Sequence, residues 1–337
     1  MSVNEATAAL RRAIYYLDRE LAPGQKVRAF QRAIEVVEEL PADELDHRAS
    51  TGTLTDLDGI GKSTGSVIAA AVTEGPTEYL DRLEERSRIP IGAGAELRAQ
   101  LRGDGHLHST WSDGGASVRE MATTAQALGH EYLVVTDHSP RLTIAHGLSE
   151  QRLADQLDEI DLLNHELAPF RLLTGIEVDI LEDGSLDMSE AMLARLDVVV
   201  ASVHSKLRMP LDQMTRRMVR AIAHPEVDVL GHMTNRKLNG RGREPSDFDA
   251  EVVFAACLRF DTAVEINCRP ERQDPPDELV ALALGWGCKL AINTDAHAPG
   301  QLEWQAYGCD KLAAHGVTAD QIINTYAASD LLAWSGS

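Results

Sequence analysis

Gly103-Asp-Gly-His-Leu-His-Ser-Thr110 marks the point where the chain changes character. From residues 105–108 onward, seven short apolar, β-branched runs follow one another: 105–108, 132–136, 172–178, 198–203, 227–230, 263–267 and 289–293. The segments between them, for example 118–128 and 150–167, repeat apolar residues at helical spacing. Short runs alternating with helical stretches predict parallel β/α units. The expected fold is therefore α/β, a distorted seven-stranded (β/α)7 barrel over residues 103–337.

The ends of these runs carry the chemistry. They present His106 and His108, then Asp137-His138, Glu177, His204, His232, and finally Asp295 and His297; only the sixth run ends otherwise, in Asn267. In a parallel barrel all strand C-termini open on one face, so residues far apart in sequence converge in one pocket. A single His-Leu-His is a weak signal, because many such pairs are core or surface histidines. Six of the chain's twelve histidines at strand ends are a strong one. The other six, His47, His130, His146, His165, His224 and His315, fall in helical or loop positions. Imidazole and carboxylate donors together suit zinc, manganese or iron, and a bridging carboxylate lets about eight or nine donors hold two or three ions. Ions roughly 3.5–4 Å apart activate a water and clamp an in-line displacement at phosphorus.

Outward toward the N-terminus the pattern is purely helical. Leu10, Ile14 and Leu17, then Val27, Phe30, Ile34, Val37 and Leu40, recur every three or four residues around a Pro23-Gly24 break, which predicts two amphipathic helices. Leu57-Asp-Gly-Ile-Gly-Lys62 then reads as the turn of a helix-hairpin-helix. Its glycines permit a tight turn, and the N–H groups opening the second helix can meet a DNA phosphate, so Gly59, Ile60, Gly61 and Lys62 are the candidate DNA contacts. Residues 1–95 are expected to be a small all-α domain, with 96–102 as linker.

The chain has 337 residues with 32 Lys+Arg and 53 Asp+Glu, a net charge of −21. Residues 1–103 hold 13 basic and 17 acidic side chains, leaving 19 and 36 beyond them. Broad adhesion to nucleic acid or anionic membrane is excluded, and any nucleic-acid contact must be local. No run approaches the roughly 18 apolar residues of a membrane helix, and the start lacks a secretion pattern, so a cytoplasmic location is expected. Cys257, Cys268, Cys288 and Cys309 form no CxxC pair and read as buried thiols. Oligomeric state leaves no mark in the sequence.

The blocks GDGHLHSTWSDG, VVTDHS, GIEVDIL, VVASVHS, VLGHMTNR, EINCRPER and AINTDAH resemble, in order, the PHP (polymerase and histidinol phosphatase) metal-dependent phosphoesterases. SDG, REPSDFD and INTDAHAPGQL are similar to the PHP domain of bacterial family X DNA polymerases, and residues 5–90 resemble the N-terminal helical domain of those enzymes. The resemblance implies a trinuclear site. His106, His108, Glu177 and Asp295 would hold one ion, Glu177 with His204 and His232 a second, and Asp113, His138 and His297 a third. Asp113 stands where the histidinol phosphatase branch has a histidine. The catalytic set implied is Glu177, Asp295, His297 and Arg272, with Arg272 the phosphate-contacting arginine; Lys206 and Arg208, which follow the fourth run, are further substrate-binding candidates.

The expected activity is hydrolysis by a metal-bridged hydroxide at nucleic-acid 3′ ends or nucleotides, as a 3′–5′ exonuclease or 3′-phosphatase. The alternatives are a small-molecule phosphatase acting on a substrate such as histidinol phosphate, and a non-catalytic DNA-end binding protein. Polymerase activity is excluded, because only a short linker separates the two parts. Val67 stands where the relatives' lyase lysine lies, so no amine is available there for a Schiff base.

Overall fold

The computed structural model describes residues 2–75, 78–240 and 242–336. Its contacts divide the chain into two units, Met1–Ile89 with Pro299–Gln301, and Pro90–Ala298 with Leu302–Ser337. The first unit contains α1 (Ser2–Arg19), α2 (Gly24–Glu39), α3 (Ala42–Thr51), α4 (Lys62–Val72) and α5 (Glu78–Ser87). The helical periodicity becomes packing here: Leu10, Leu17, Phe30, Val37, Leu45, Ile68 and Leu83 form its buried core. Arg19 ties α1 to α5 through Ser87 Oγ and the Glu84 carbonyl. Gly59 turns the α4 hairpin at φ +89°, a backbone region that L side chains seldom enter.

The helical unit stops at Ile89, short of the boundary expected at residue 95. Residues 92–98 belong instead to the second unit. There Asp310 accepts from the N–H groups of Gly92 and Gly94, and a Cβ on Gly94 would stand 2.3 Å from the Cys309 carbonyl carbon, so only glycine fits.

The second unit is a seven-stranded parallel sheet in the order β1 to β7: β1 (Gly103–Asp104), β2 (Tyr132–Val135), β3 (Arg171–Asp179), β4 (Val198–Ser202), β5 (Val229–Leu230), β6 (Ala263–Asn267) and β7 (Leu290–Asn293). The first strand lies two residues earlier than its expected position at 105–108. His106 and His108 follow it on extended chain, where Leu107 bridges in parallel to Ala296 and begins to close the barrel.

Strand alternation sorts the side chains. Leu133, Val135 and Leu172 pack with Met121 and Ile160 of the flanking helices, whereas Val134, Leu173, Val198, Val200, Val229, Ala263 and Ala291 form an interior cluster with Ile323 and Leu331. Two to four residues further along the inward rows the character changes to polar: Leu173 leads through Gly175 to Glu177, Ala263 to Glu265 and Asn267, and Ala291 to Asn293. The barrel is thus apolar below and polar at its strand ends. All four cysteines are buried free thiols. No helix among the described residues is long and apolar enough to cross a membrane.

Candidate metal centre

Glu177 lies at the middle of the polar layer, 1% exposed. Its Oε1 stands 2.8 Å from His232 Nε2 and 3.2 Å from His204 Nε2; its Oε2 stands 2.8 Å from His138 Nδ1, 3.4 Å from His106 Nε2 and 3.5 Å from His108 Nε2. None of these approaches has hydrogen-bond geometry, and both carboxylate oxygens, His106 Nε2, both His108 nitrogens and His138 Nδ1 are buried without partners. Buried polar atoms left unpaired are costly. Their convergence on a few ångströms of space is what divalent cations satisfy, and the oxygen and imidazole donors suit such ions.

The donors form overlapping sets. His108, Asp113, His138 and His297 make one, His106, His108 and Asp295 a second, and His138, Glu177 and His204 a third. All nine metal-ligand residues expected from the sequence therefore come together. His108 and His138 each serve two sets, and His232 joins through Glu177, so the division into three separate ligand groups is less sharp than the resemblance implies.

Electrostatics follow the same geometry. Burial works to protonate Glu177, but His204, His106 and His138 outweigh it and hold the carboxyl well below the usual range. Burial likewise opposes charge on Asp295, which Arg269 and His108 keep ionised. Burial, with His297 and His138 beside it, depresses His108, leaving an unprotonated imidazole as a ligand requires.

Around this ring are residues that the sequence reading missed. Glu265, fully buried on β6, receives His106 Nδ1 at 2.6 Å and Asn293 Nδ2 at 3.1 Å on one oxygen, and the His232 N–H at 2.7 Å and Asn267 Nδ2 at 3.1 Å on the other. A carboxylate on the distal nitrogen of a ligand histidine fixes its tautomer and ring orientation. The signal was the inward alternation Ala263, Glu265, Asn267, obscured by the apolar run around it. Arg269 donates to the Asp295 carbonyl at 2.7 Å and approaches His297 Nδ1 at 2.8 Å. Asp179 accepts from the His204 N–H at 3.0 Å. Asp137, by contrast, is engaged by Ser109, Ser112 and Gln156 and braces the β1 and β2 loops.

Arg272 Nε lies 3.5 Å from Asp295 Oδ2, and its Nε and Nη1 are buried without hydrogen-bond partners. Lys206 and Arg208 are exposed on the loop after β4. In the helical unit, Ile60 is buried and anchors the hairpin, Gly61 caps α4 by donating to Thr64 Oγ1 at 2.8 Å, and Lys62 is exposed.

Residues 104–267 match the family model described as the PHP domain. Over these residues the chain is similar to the PHP domain. It is 38% identical over 235 residues to the DNA polymerase/3′-5′ exonuclease PolX of Bacillus subtilis (strain 168), covering 70% of this chain and 41% of that protein. It is 28% identical over 234 residues to a probable phosphatase of Thermoanaerobacter sp. (strain X514), covering 66% of this chain and 89% of the relative. The chain thus spans about two fifths of the first relative's length and most of the second's. Among solved structures, the histidinol phosphate phosphatase of Lactococcus lactis subsp. lactis Il1403, in complex with zinc, L-histidinol and phosphate, aligns with a TM-score of 0.44 at 18% identity, covering 63% of this chain and 94% of that one.

Proposed function

We propose that this chain hydrolyses phosphate esters at nucleic-acid 3′ ends or of nucleotides. The observation that carries the reading is the ring of partnerless buried donors around Glu177 in the region similar to the PHP domain, and the similarity to PolX supplies the substrate class. Divalent ions bound there supply Lewis acidity and an activated water.

The protein's own groups do the rest. Glu177, Asp295, His106, His108, Asp113, His138, His204, His232 and His297 hold the ions, and Glu265 and Arg269 fix the orientation of His106 and His297. Arg272 has two unpartnered donors beside Asp295 with which to grip a phosphate in a bidentate manner. Lys206 and Arg208 are exposed cations for the approaching substrate. The N-terminal hairpin at Gly59, Ile60, Gly61 and Lys62 contributes DNA affinity through the first turn of α4.

A second reading, hydrolysis of a small phosphomonoester such as histidinol phosphate, is favoured by the acidity of the barrel part, 19 basic against 36 acidic side chains. The test is release of nucleotide or phosphate from a labelled 3′-ended oligonucleotide beside release from histidinol phosphate, in manganese and in zinc. Preference for the oligonucleotide is expected; preference for histidinol phosphate overturns the nucleic-acid reading.

A further inference from the structure

The loop after β5 pairs two cations across its strands, an exposed Lys237 and an Arg243 whose Nε also donates to the Asn235 carbonyl at 2.6 Å. It leaves the metal centre at His232, whose carbonyl accepts the Asn235 N–H at 2.9 Å, and Asn235 takes a left-handed φ of 56°. The chain then forms a narrow hairpin in which Lys237 and Arg243 exchange both backbone hydrogen bonds, at 3.0 and 2.9 Å. Directly paired residues of antiparallel chain project to the same face, and like charges there destabilise the pair. Among the described residues no carboxylate lies within ion-pair distance of Lys237 or Arg243.

The hairpin is fastened to the loop that bears Arg272: the Leu238 N–H donates to the Glu271 carbonyl at 2.7 Å, and Arg236 Nε to the Arg272 carbonyl at 3.0 Å. Glu271, the nearby acid, is engaged by Arg269 at 2.9 Å. Burial, then Arg272, pulls both Lys237 and Arg243 below their ordinary range, and Glu271 and Asp274 offset this only in part.

We propose that Lys237 and Arg243, flanking Arg272, form a second anion subsite that takes a backbone phosphate adjacent to the ester being hydrolysed. The subsite selects nucleotide chains over esters that carry a single phosphate. A bound polyanion compensates the mutual repulsion of an arginine and a lysine paired across one hairpin and gives them a ligand in common. This inference rests on the phosphoesterase reading above and deepens it.

The experiment uses the full chain with Lys237→Gln/Arg243→Gln and the charge-keeping Arg243→Lys. The first readout is binding of a 5′-fluorescein thymidine trinucleotide by anisotropy across a salt series. Each phosphate contact on a single strand contributes about 0.7 to the slope of log affinity against log salt. The double variant is expected to bind about tenfold more weakly with a slope shallower by about 0.7, and Arg243→Lys to retain the wild-type slope. The second readout is the ratio of kcat/KM between the trinucleotide and p-nitrophenyl phosphate in manganese, expected to fall about tenfold in the double variant. An unchanged salt slope, or equal loss on both substrates, overturns the subsite. Absence of turnover on either ester by the wild type, with the slope change intact, overturns the phosphoesterase reading and leaves the subsite standing.

Discussion

The two units bury opposite things. The helical unit closes over an apolar core, and its few buried polar groups include Thr64 and Ser87, each engaged in a cap or a bridge between helices. The barrel closes over an apolar lower layer and then buries His106, His108, His138, His232, Glu177 and Asp295 together, many with nitrogens or oxygens lacking any partner. Partnerless buried donors make the folded apoprotein pay a desolvation cost that only a ligand removes. The first unit is complete as a fold, whereas the second is complete only when loaded.

The largest expected effect is at the support of the ring. Glu265→Ala strips His106 of its carboxylate and leaves the donors of His232, Asn267 and Asn293 facing one another. Loss of such an outer partner costs 10- to 100-fold in metal affinity or activity. Competition with a fluorescent chelator should register a fall of that size. Unchanged affinity would mean that Glu265 is a barrel-packing residue and would weaken the contrast between the units.

Next is a buried carboxyl in the barrel but outside the metal layer. Burial, opposed by the bond from the Val199 N–H, pushes Asp228 up to about 8 from 3.8. The folded state therefore keeps a proton that the unfolded chain releases. Near pH 4 the two states differ little. As pH rises from there toward 8, stability falls, by up to about 1.4 kcal/mol per unit from this group. Asp228→Asn, whose amide oxygen can still accept from Val199, should match wild type near pH 4 and exceed it at pH 7–8 in urea unfolding. Parallel pH profiles would show that Asp228 is ionised in the fold.

A third, local effect belongs to the helical unit. Gly59→Ala puts a Cβ 3.0 Å from Arg32 Cγ at φ +89°, and forcing a side chain into such backbone costs about 1–3 kcal/mol. Hydrogen exchange of residues 54–72 should accelerate accordingly. Protection equal to wild type would mean that the hairpin relaxes freely.

Most of the site was legible because the β/α pattern places strand ends on one face, and the ligands stand at those ends. Glu265 and Arg269 were not legible for different reasons. Glu265 sits inside Ala263–Asn267, where an apolar frame reads as core, and only the inward alternation reveals it. Arg269 was overshadowed by Arg272, three residues on in the same loop, and its partners Asp295 and His297 lie on a different loop. The position of β1 was misread because the His-Leu-His alternation looks like strand, although its pairing is a single bridge. Residues 90–95, expected at the end of the helical domain, group with the second unit, where Gly92 and Gly94 are held by Asp310, more than 200 positions away.

The central claim is that the Glu177 ring is a multinuclear phosphoesterase centre. Metal content by inductively coupled plasma mass spectrometry, measured together with phosphate ester turnover on wild type and Glu177→Gln after equilibration with manganese or zinc, tests it directly. The account predicts two or three ions per wild-type chain, at least one fewer in the variant, and turnover that vanishes with that loss and with chelator. A wild-type chain that binds no ion, or turnover that survives both chelation and Glu177→Gln, would contradict it.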